Sequence, residues 1–144
     1  MWIATAAITS AWRAVLIYEN GWTWIPAALL FCAGLILYKL SHSHFSLEQL
    51  SGLPEILPGQ YDQRLVTTGI RARVRHPVYL AHLCELLAWS IGTGLAVCWA
   101  LTGWAIVTGA IMIKTEDGEL EKRFGREYLA YRNRVPAILP RLGS

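Results

Sequence analysis

The sequence predicts an all-α membrane protein with about four transmembrane helices and a C-terminal amphipathic helix. Of its 144 residues, 54% are hydrophobic and only 16% are charged, and the mean hydropathy is +0.35. Soluble domains carry about 25% charged residues. The uncharged runs approach the length of about 20 residues that a spanning helix needs. At this length we expect a single domain over residues 1–144.

Two apolar runs near the N-terminus predict the first two spans. Residues 2–18 form the first run, interrupted by Arg13, and residues 22–40 form the second. The polar turn Glu19-Asn20-Gly21 separates them, and two tryptophans open the second run, as is typical at a membrane interface. The first run lacks a basic start and a small-residue cleavage site, so we expect a retained span and no cleaved signal peptide.

A long polar segment, residues 41–76, follows the second span. It contains Pro54, Pro58 and several glycines, so we expect it to be mostly irregular, with one short helix around residues 47–50. Segments of this length without regular structure are usually functional or disordered. Its scattered apolar residues indicate that it packs against the rest of the protein.

A third apolar block covers residues 78–113 and is too long for one ordinary span. Two spans, 77–93 and 95–114, fit better, joined by a tight turn near Gly92-Thr93-Gly94. Pro77 would then stand at the first helical position, where its missing N–H costs nothing.

The charged segment 115–133 predicts an amphipathic helix at the membrane surface. Twelve of the 13 Lys and Arg residues lie near or after the ends of the second and fourth spans, and the exception is Arg13. Because Lys and Arg favour the cytoplasmic side, both termini and the 41–76 segment should face the cytoplasm. We expect a multi-pass protein of a bacterial or archaeal inner membrane. No nucleic-acid recognition motif accompanies these charges.

The chain offers no convincing disulfide framework or metal site. Cys32, Cys84 and Cys98 are widely spaced in apolar runs, which is typical of small buried side chains. His42 and His44 have no third ligand at a sensible spacing, so an interfacial position is expected for them.

Two polar motifs flank the predicted helical hairpin of residues 77–114. Because a hairpin returns the chain to the membrane face that it left, the motifs should lie close together. The first is Arg75-His76-Pro77-Val78-Tyr79; the second is Glu116-Asp117-Gly118-Glu119-Leu120 with Phe124-Gly125-Arg126-Glu127-Tyr128.

These motifs, with the preceding Leu65-Val66-Thr67-Thr68-Gly69, resemble the isoprenylcysteine carboxyl methyltransferase and phospholipid methyltransferase superfamily. The resemblance covers roughly residues 63–140 and implies an integral membrane enzyme that transfers a methyl group from S-adenosylmethionine. It implies that the 41–76 segment is a cofactor loop and that Arg75, His76 and Glu116 are catalytic. The cofactor-binding residues that it implies are Leu65, Val66, His76, Pro77, Val78, Tyr79, Glu116 and Asp117.

Elementary chemistry agrees with this assignment. The cofactor is an amino acid with an additional sulfonium charge, so its carboxylate needs a His or Arg donor and its ammonium needs a carboxylate. His76, at a helix N-terminus that begins at Pro77, suits the carboxylate. Glu116 or Asp117 suits the ammonium. The expected acceptor is a lipophilic, membrane-partitioned molecule, and the alternatives are a phospholipid amine and no turnover at all, in a small membrane subunit that keeps the fold.

The sequence departs from the family where the acceptor would bind. Arg71 stands where relatives often have an aromatic residue, and Met112 stands where prenylcysteine enzymes have an arginine that faces the substrate. Asp117 replaces a more usual glutamate.

Two ionisable residues, Arg13 and Glu85, fall within predicted spans, where charges are costly and usually paired or functional. Either they pair and hold the first and third spans together, or Glu85 faces the substrate cavity. We expect His82 and Met112 to line the same cavity.

Overall fold

The computed structural model of the protein describes residues 15–42 and 64–140. Within these ranges the regular structure is helical apart from one isolated bridge, so the predicted all-α class is confirmed for them. Short 3₁₀ turns cover Gly21–Thr23 and Gly69–Ala72. The α-helices are α1 (Trp24–His42), α2 (Pro77–Thr93), α3 (Ala96–Phe124) and α4 (Arg126–Arg134).

Two helical segments of the described chain are long and apolar enough to cross a membrane, Gly21–Ser41 and Ala96–Phe124. In each of these helices, only 11% of the most apolar stretch of 18 residues is buried inside the protein. The core helix of a soluble protein would be mostly buried, so the apolar surfaces of these two helices fit a lipid environment. In α3 the uncharged part covers residues 96–113, and the charged part begins at Lys114.

The described helices differ from the predicted spans in two places. Residues 15–18, the end of the first predicted span, are not helical, and residues 2–14 lie outside the described residues. The predicted boundary between a fourth span and a surface helix, at residues 114–115, is absent because α3 runs through it to Phe124. The helix breaks instead at Gly125, whose φ of 54° lies in the left-handed region that favours glycine.

The chain divides into two compact units, and α1, α2 and α3 each contribute residues to both. Among the described residues, the first unit comprises 15–35 and 81–111. The second unit comprises 36–42, 64–80 and 112–140.

In the first unit, residues 15–18 pair with the turn between α2 and α3. Ile17 N donates to Gly94 O at 2.8 Å, and Ala96 N donates to Val15 O at 2.9 Å. The Tyr18 hydroxyl donates to Ile91 O at 2.9 Å, which satisfies a carbonyl at the C-terminal end of α2. These bonds hold residues 15–18 against the turn in a non-helical conformation.

Helix α2 pairs with α3 through a buried hydroxyl bond and packs against α1 through glycine. Ser90 Oγ and Thr102 Oγ1 lie 2.9 Å apart, and both side chains are buried. A Cβ added to Gly34 of α1 would lie 3.0 Å from Glu85 Cγ, so glycine allows the close approach of these two helices. The glycine thereby places the Glu85 side chain against α1.

The second unit has a small aromatic core. Tyr128 and Tyr131 of α4 and the following Val135 are all buried. The partly buried residues that pack against them come from the 64–68 segment and from the end of α3, and they are Leu65, Leu120 and Phe124. Because α4 turns back at Gly125, its two tyrosines face the charged end of α3.

Candidate functional site

The first motif is anchored to the chain that follows α4. Arg75 N donates to Pro136 O and His76 N donates to Ala137 O, both at 2.9 Å. Val74, Arg75, His76 and Pro77 are all buried. The segment that leads into α2 therefore has a fixed backbone, and it presents His76 directly before the first turn of that helix.

The Arg75 guanidinium makes three hydrogen bonds to protein groups. Its Nε donates to Val135 O at 3.0 Å, and its Nη1 donates to Asp117 Oδ2 at 2.6 Å and to the Tyr128 hydroxyl at 2.9 Å. The side chain is 9% exposed. Burial lowers the pKa of Arg75, but Asp117 and Tyr128 raise it by more, so the pKa lies above its ordinary value and the group keeps its charge.

Asp117 is the centre of this network. One carboxylate oxygen accepts from Arg75, and the other accepts from the Tyr128 hydroxyl and lies 2.7 Å from His76 Nε2. The side chain is 15% exposed. Burial raises the pKa of Asp117, but the bonds from Tyr128, His76 and Arg75 lower it more, which keeps the carboxylate ionised.

Glu116, one residue earlier on α3, has a different environment. Its Oε2 lies 3.4 Å from His76 Nδ1, and its side chain is 42% exposed. The ion pair with His76 lowers the pKa of Glu116, and burial only partly opposes this. Glu116 is therefore an ionised, accessible carboxylate that lies beside His76 and Tyr79.

His76 thus lies between two carboxylates, one at each ring nitrogen. Burial lowers the pKa of the imidazole, but Glu116 and Asp117 together raise it above its ordinary value. Because both nitrogens face acceptors, the protonated ring that donates from both is the form that this geometry favours. The edge of the Tyr79 ring system also meets His76, with the ring centroids 5.8 Å apart.

The other predicted cofactor residues lie in the same unit. Leu65 and Val66 are half-buried, and Leu65 packs against the aromatic core. Pro77 is buried at the start of α2, followed by the half-buried Val78. Leu80 N donates to His76 O at 3.3 Å. The preceding amides of the first turn, those of Val78 and Tyr79, have no acceptor within their own helix and are suited to a ligand near His76.

The residues predicted for a substrate cavity are distributed over both units. His82 is exposed and Glu85 is half-buried in the first unit, where Glu85 packs against Gly34. Met112 is 55% exposed in the second unit. Arg13 and His44 lie outside the described residues, so the predicted pairing of Arg13 with Glu85 stays a prediction.

Sequence reasoning missed two parts of the cluster. Tyr128 had no assigned role, although its place in the second motif was a usable signal. The contribution of residues 135–137 is made through backbone carbonyls, which no residue pattern reveals. Among the described residues, no group of three or more His, Cys, Asp or Glu side chains is arranged to hold a metal ion.

The apolar helices and the charged cluster define the class as a helical membrane protein with a compact His–carboxylate site. No protein-family profile matches the chain, and no solved structure matches it. Curated proteins do match. Over 85 residues the chain is 39% identical to human protein-S-isoprenylcysteine O-methyltransferase. The match covers 53% of this chain and 27% of the human protein.

Two further relatives come from a plant and a bacterium. The chain is 34% identical over 84 residues to protein-S-isoprenylcysteine O-methyltransferase B of Arabidopsis thaliana, covering 54% of this chain and 40% of the plant protein. It is 36% identical over 88 residues to the cobalt-zinc-cadmium resistance protein CzcN of Cupriavidus metallidurans. This match covers 60% of this chain and 40% of the bacterial protein.

These matches confirm the resemblance to the isoprenylcysteine carboxyl methyltransferase family that the two motifs predict. The matched region spans 27–40% of the length of these relatives. Together with the apolar helices, the matches indicate a membrane protein.

Proposed function

We propose that this protein is a membrane-embedded, S-adenosylmethionine-dependent methyltransferase that acts on a lipophilic acceptor. The observation that carries the proposal is the contrast between two neighbouring carboxylates. Asp117 is 15% exposed and surrounded by donors, whereas Glu116 is 42% exposed and its Oε2 lies 3.4 Å from His76 Nδ1. A half-exposed ionised carboxylate beside an imidazolium is suited to bind both charged ends of an amino acid.

The residues present fit the amino-acid part of this cofactor. Glu116 would accept hydrogen bonds from its ammonium group. His76 Nδ1 and the first-turn amides of α2 would donate to its carboxylate. This exchange would replace one long contact between His76 and Glu116 by two ion pairs. Leu65 and Val66 would line the adenosine part, as the family resemblance implies.

For this reaction, the protein mainly has to align the methyl donor with the acceptor. The cofactor supplies a methyl group that its positively charged sulfur has already activated. The residues of this chain bind and orient the donor, and they exclude water from the reacting atoms. No covalent nucleophile is needed, and a carboxylate acceptor would need no general base.

A lipophilic acceptor is favoured by the apolar helices and by the relatives' names. Two relatives are named protein-S-isoprenylcysteine O-methyltransferases, so we propose oxygen as the methylated atom. Met112, exposed on α3, and His82 on α2 are the proposed acceptor-side residues. The distribution of Lys and Arg supports a cytoplasmic position for the His76 site and for the chain termini.

Two alternatives keep a specific basis. A phospholipid amine acceptor fits the wider superfamily that the motifs resemble. A non-catalytic role fits the relative whose name describes metal resistance and no enzyme activity. The product distinguishes the first alternative because a methyl ester releases its methyl group in base, whereas a methylated amine does not.

Binding of S-adenosylmethionine to the purified protein in lipid nanodiscs tests the proposal. We expect Glu116→Gln to weaken binding by about tenfold to a hundredfold, the range for losing one charge-assisted contact. Glu119→Gln is the matched control, since Glu119 is an exposed carboxylate three positions further along the same helix. Equal binding by the two variants would contradict the role of Glu116.

Turnover is tested with methyl-labelled cofactor and a total membrane lipid extract, with the product identified by mass. Label in a base-labile lipid product supports O-methylation. Cofactor binding without any labelled product, in extracts from several sources, would favour the non-catalytic alternative.

A further inference from the structure

The position of Tyr128 carries an inference that deepens the proposed function and rests on it for the role of His76. Tyr128 is 0% exposed, and its hydroxyl lies between the two charged groups of the buried network. It accepts a hydrogen bond from Arg75 Nη1 at 2.9 Å and donates one to Asp117 Oδ1. Both capacities of the phenol are therefore used.

The oxygen that Tyr128 contacts is also the oxygen that faces His76. Asp117 Oδ1 lies 2.7 Å from His76 Nε2, while Oδ2 accepts from Arg75. Without the phenol, the carboxylate could turn both of its oxygens towards the guanidinium fork, which is the bidentate geometry that Arg prefers. The Tyr128 hydroxyl accepts from Nη1 and donates to Oδ1, so it ties that oxygen on the side of the carboxylate that faces His76.

We infer that Tyr128 is a positioning residue, which holds Asp117 against Nε2 of His76 and thereby directs Nδ1 to the cofactor. The role is indirect, since Tyr128 acts through Asp117 and is buried away from ligand. It assigns Asp117 and Arg75 to the same supporting network, in place of the cofactor contact and catalytic role expected for them. Glu116 then remains the acidic residue that meets the ammonium group.

The charged and titratable groups around His76 come from three elements. Glu116 and Asp117 face it from α3, and Tyr128 reaches Asp117 from α4. Arg71, Arg75 and Tyr79 belong to its own part of the chain. Glu116 and Asp117 both raise the pKa of His76, and Asp117 lies at the shorter distance, so a change in its position should alter the charge on the ring.

The test compares two tyrosine variants of the full chain by NMR titration of His76 without cofactor. In Tyr128→Phe, Asp117 is released, and we expect the pKa of His76 to fall towards its ordinary value of about 6.5. Tyr131→Phe is the matched control: Tyr131 is also buried, but its hydroxyl donates to the Arg71 carbonyl at 2.6 Å. Both variants lose one buried hydroxyl, yet only Tyr128→Phe should move the His76 titration. His76→Gln identifies the signal among the four histidines.

Cofactor binding is the second measurement. We expect S-adenosylmethionine to bind Tyr128→Phe about fivefold to tenfold more weakly than the unsubstituted protein, and Tyr131→Phe within twofold. An unchanged or higher His76 pKa in Tyr128→Phe, or equal effects of the two variants, overturns the inference. If the unsubstituted protein fails to bind the cofactor, the proposed function fails, while the titration still decides the position of Asp117.

A second variant keeps the test decisive if Tyr128→Phe does not fold. Asp117→Asn removes the charge through which Tyr128 acts, so the His76 pKa should fall at least as far. A His76 titration that Asp117→Asn leaves unchanged would overturn the inference on its own.

Discussion

The Nε2 atom of His76 lies 2.7 Å from Oδ1 of Asp117, on the opposite side of the ring from the nitrogen that faces Glu116. Neighbouring carboxylates on one helix thus contact opposite nitrogens of one imidazole. Asp117 is nearly enclosed, and Glu116 is accessible. The pair Glu116-Asp117, which forms a uniform acidic motif in the sequence, therefore divides into one accessible and one enclosed carboxylate.

The first prediction concerns stability at neutral and basic pH. The pKa of His76 is raised in the folded protein, so its stabilising contribution is complete below the unfolded value of about 6.5 and disappears as the pH rises through the folded pKa. We expect the thermal unfolding midpoint to fall as the pH rises from about 6.5 through the folded pKa of His76. In His76→Gln this part of the pH dependence should be lost, as measured by differential scanning calorimetry.

At acid pH the ionisation of Glu116 and Asp117 makes the stability of the protein depend on pH. Their pKa values are lowered in the folded protein, Glu116 chiefly by His76 and Asp117 by the donors that overcome its burial. Their contribution is present above the ordinary carboxyl pKa of about 4 and is lost as the pH falls through the folded values. Asp117→Asn should flatten this acid limb. An unchanged acid limb in that variant contradicts the network.

The second prediction concerns Arg75. Lysine keeps the charge but cannot donate from Nε to Val135 while it also reaches Asp117 and Tyr128, because it has a single ammonium group in place of a fork. We expect Arg75→Lys to lower the free energy of unfolding by about 2 to 4 kcal/mol. Denaturant unfolding monitored by circular dichroism measures this. Arg73→Lys, at an exposed position two residues earlier, is the control and should change stability by less than about 0.5 kcal/mol.

Much of the helical architecture could be predicted because membrane-length apolar runs and proline positions report directly on it. The predicted third span and helix α2 cover the same residues, 77–93. The continuation of α3 beyond residue 114 was harder to predict, because charged residues show where a helix leaves the lipid and not where the helix ends. Only Gly125, with its positive φ, ends that helix.

The sequence predicted which residues form the candidate site, but it did not predict how their side chains are arranged. His76, Glu116 and Asp117 were expected together because a hairpin joins their motifs, and they lie together. Which carboxylate is enclosed depends on Tyr128, which lies in the aromatic core. A tertiary contact of this kind produces no periodic pattern in the sequence from which it could be predicted.

The third prediction concerns the hydroxyl pair of the α2–α3 hairpin. Ser90 and Thr102 are both buried, and their hydroxyl oxygens lie 2.9 Å apart. Thr102→Val keeps the shape and removes the bonds to the Ser90 hydroxyl and to Leu86 O, so we expect a loss of about 0.6 to 1.7 kcal/mol, from the mean to the maximum for interhelical hydrogen bonds in membranes. Thr108→Val is the control, since the Thr108 hydroxyl bonds only carbonyls of its own helix, those of Trp104 and Ala105. A loss of equal size in both variants would contradict an interhelical contribution.

The fourth prediction concerns Gly94, in the turn between α2 and α3. Its φ of 64° is disfavoured for other residues, and a Cβ there would collide with the carbonyl oxygen of Tyr18. Because Gly94 O also accepts from Ile17 N, the backbone cannot move away without losing that bond. We expect Gly94→Ala to lower stability by at least about 2 kcal/mol. Gly103→Ala on α3 has open space around the added methyl and should instead stabilise the helix by about 0.5 to 1 kcal/mol. Unfolding midpoints of the two variants in the same detergent check both signs, and a Gly94→Ala protein as stable as Gly103→Ala would show that residues 15–18 do not pair with this turn.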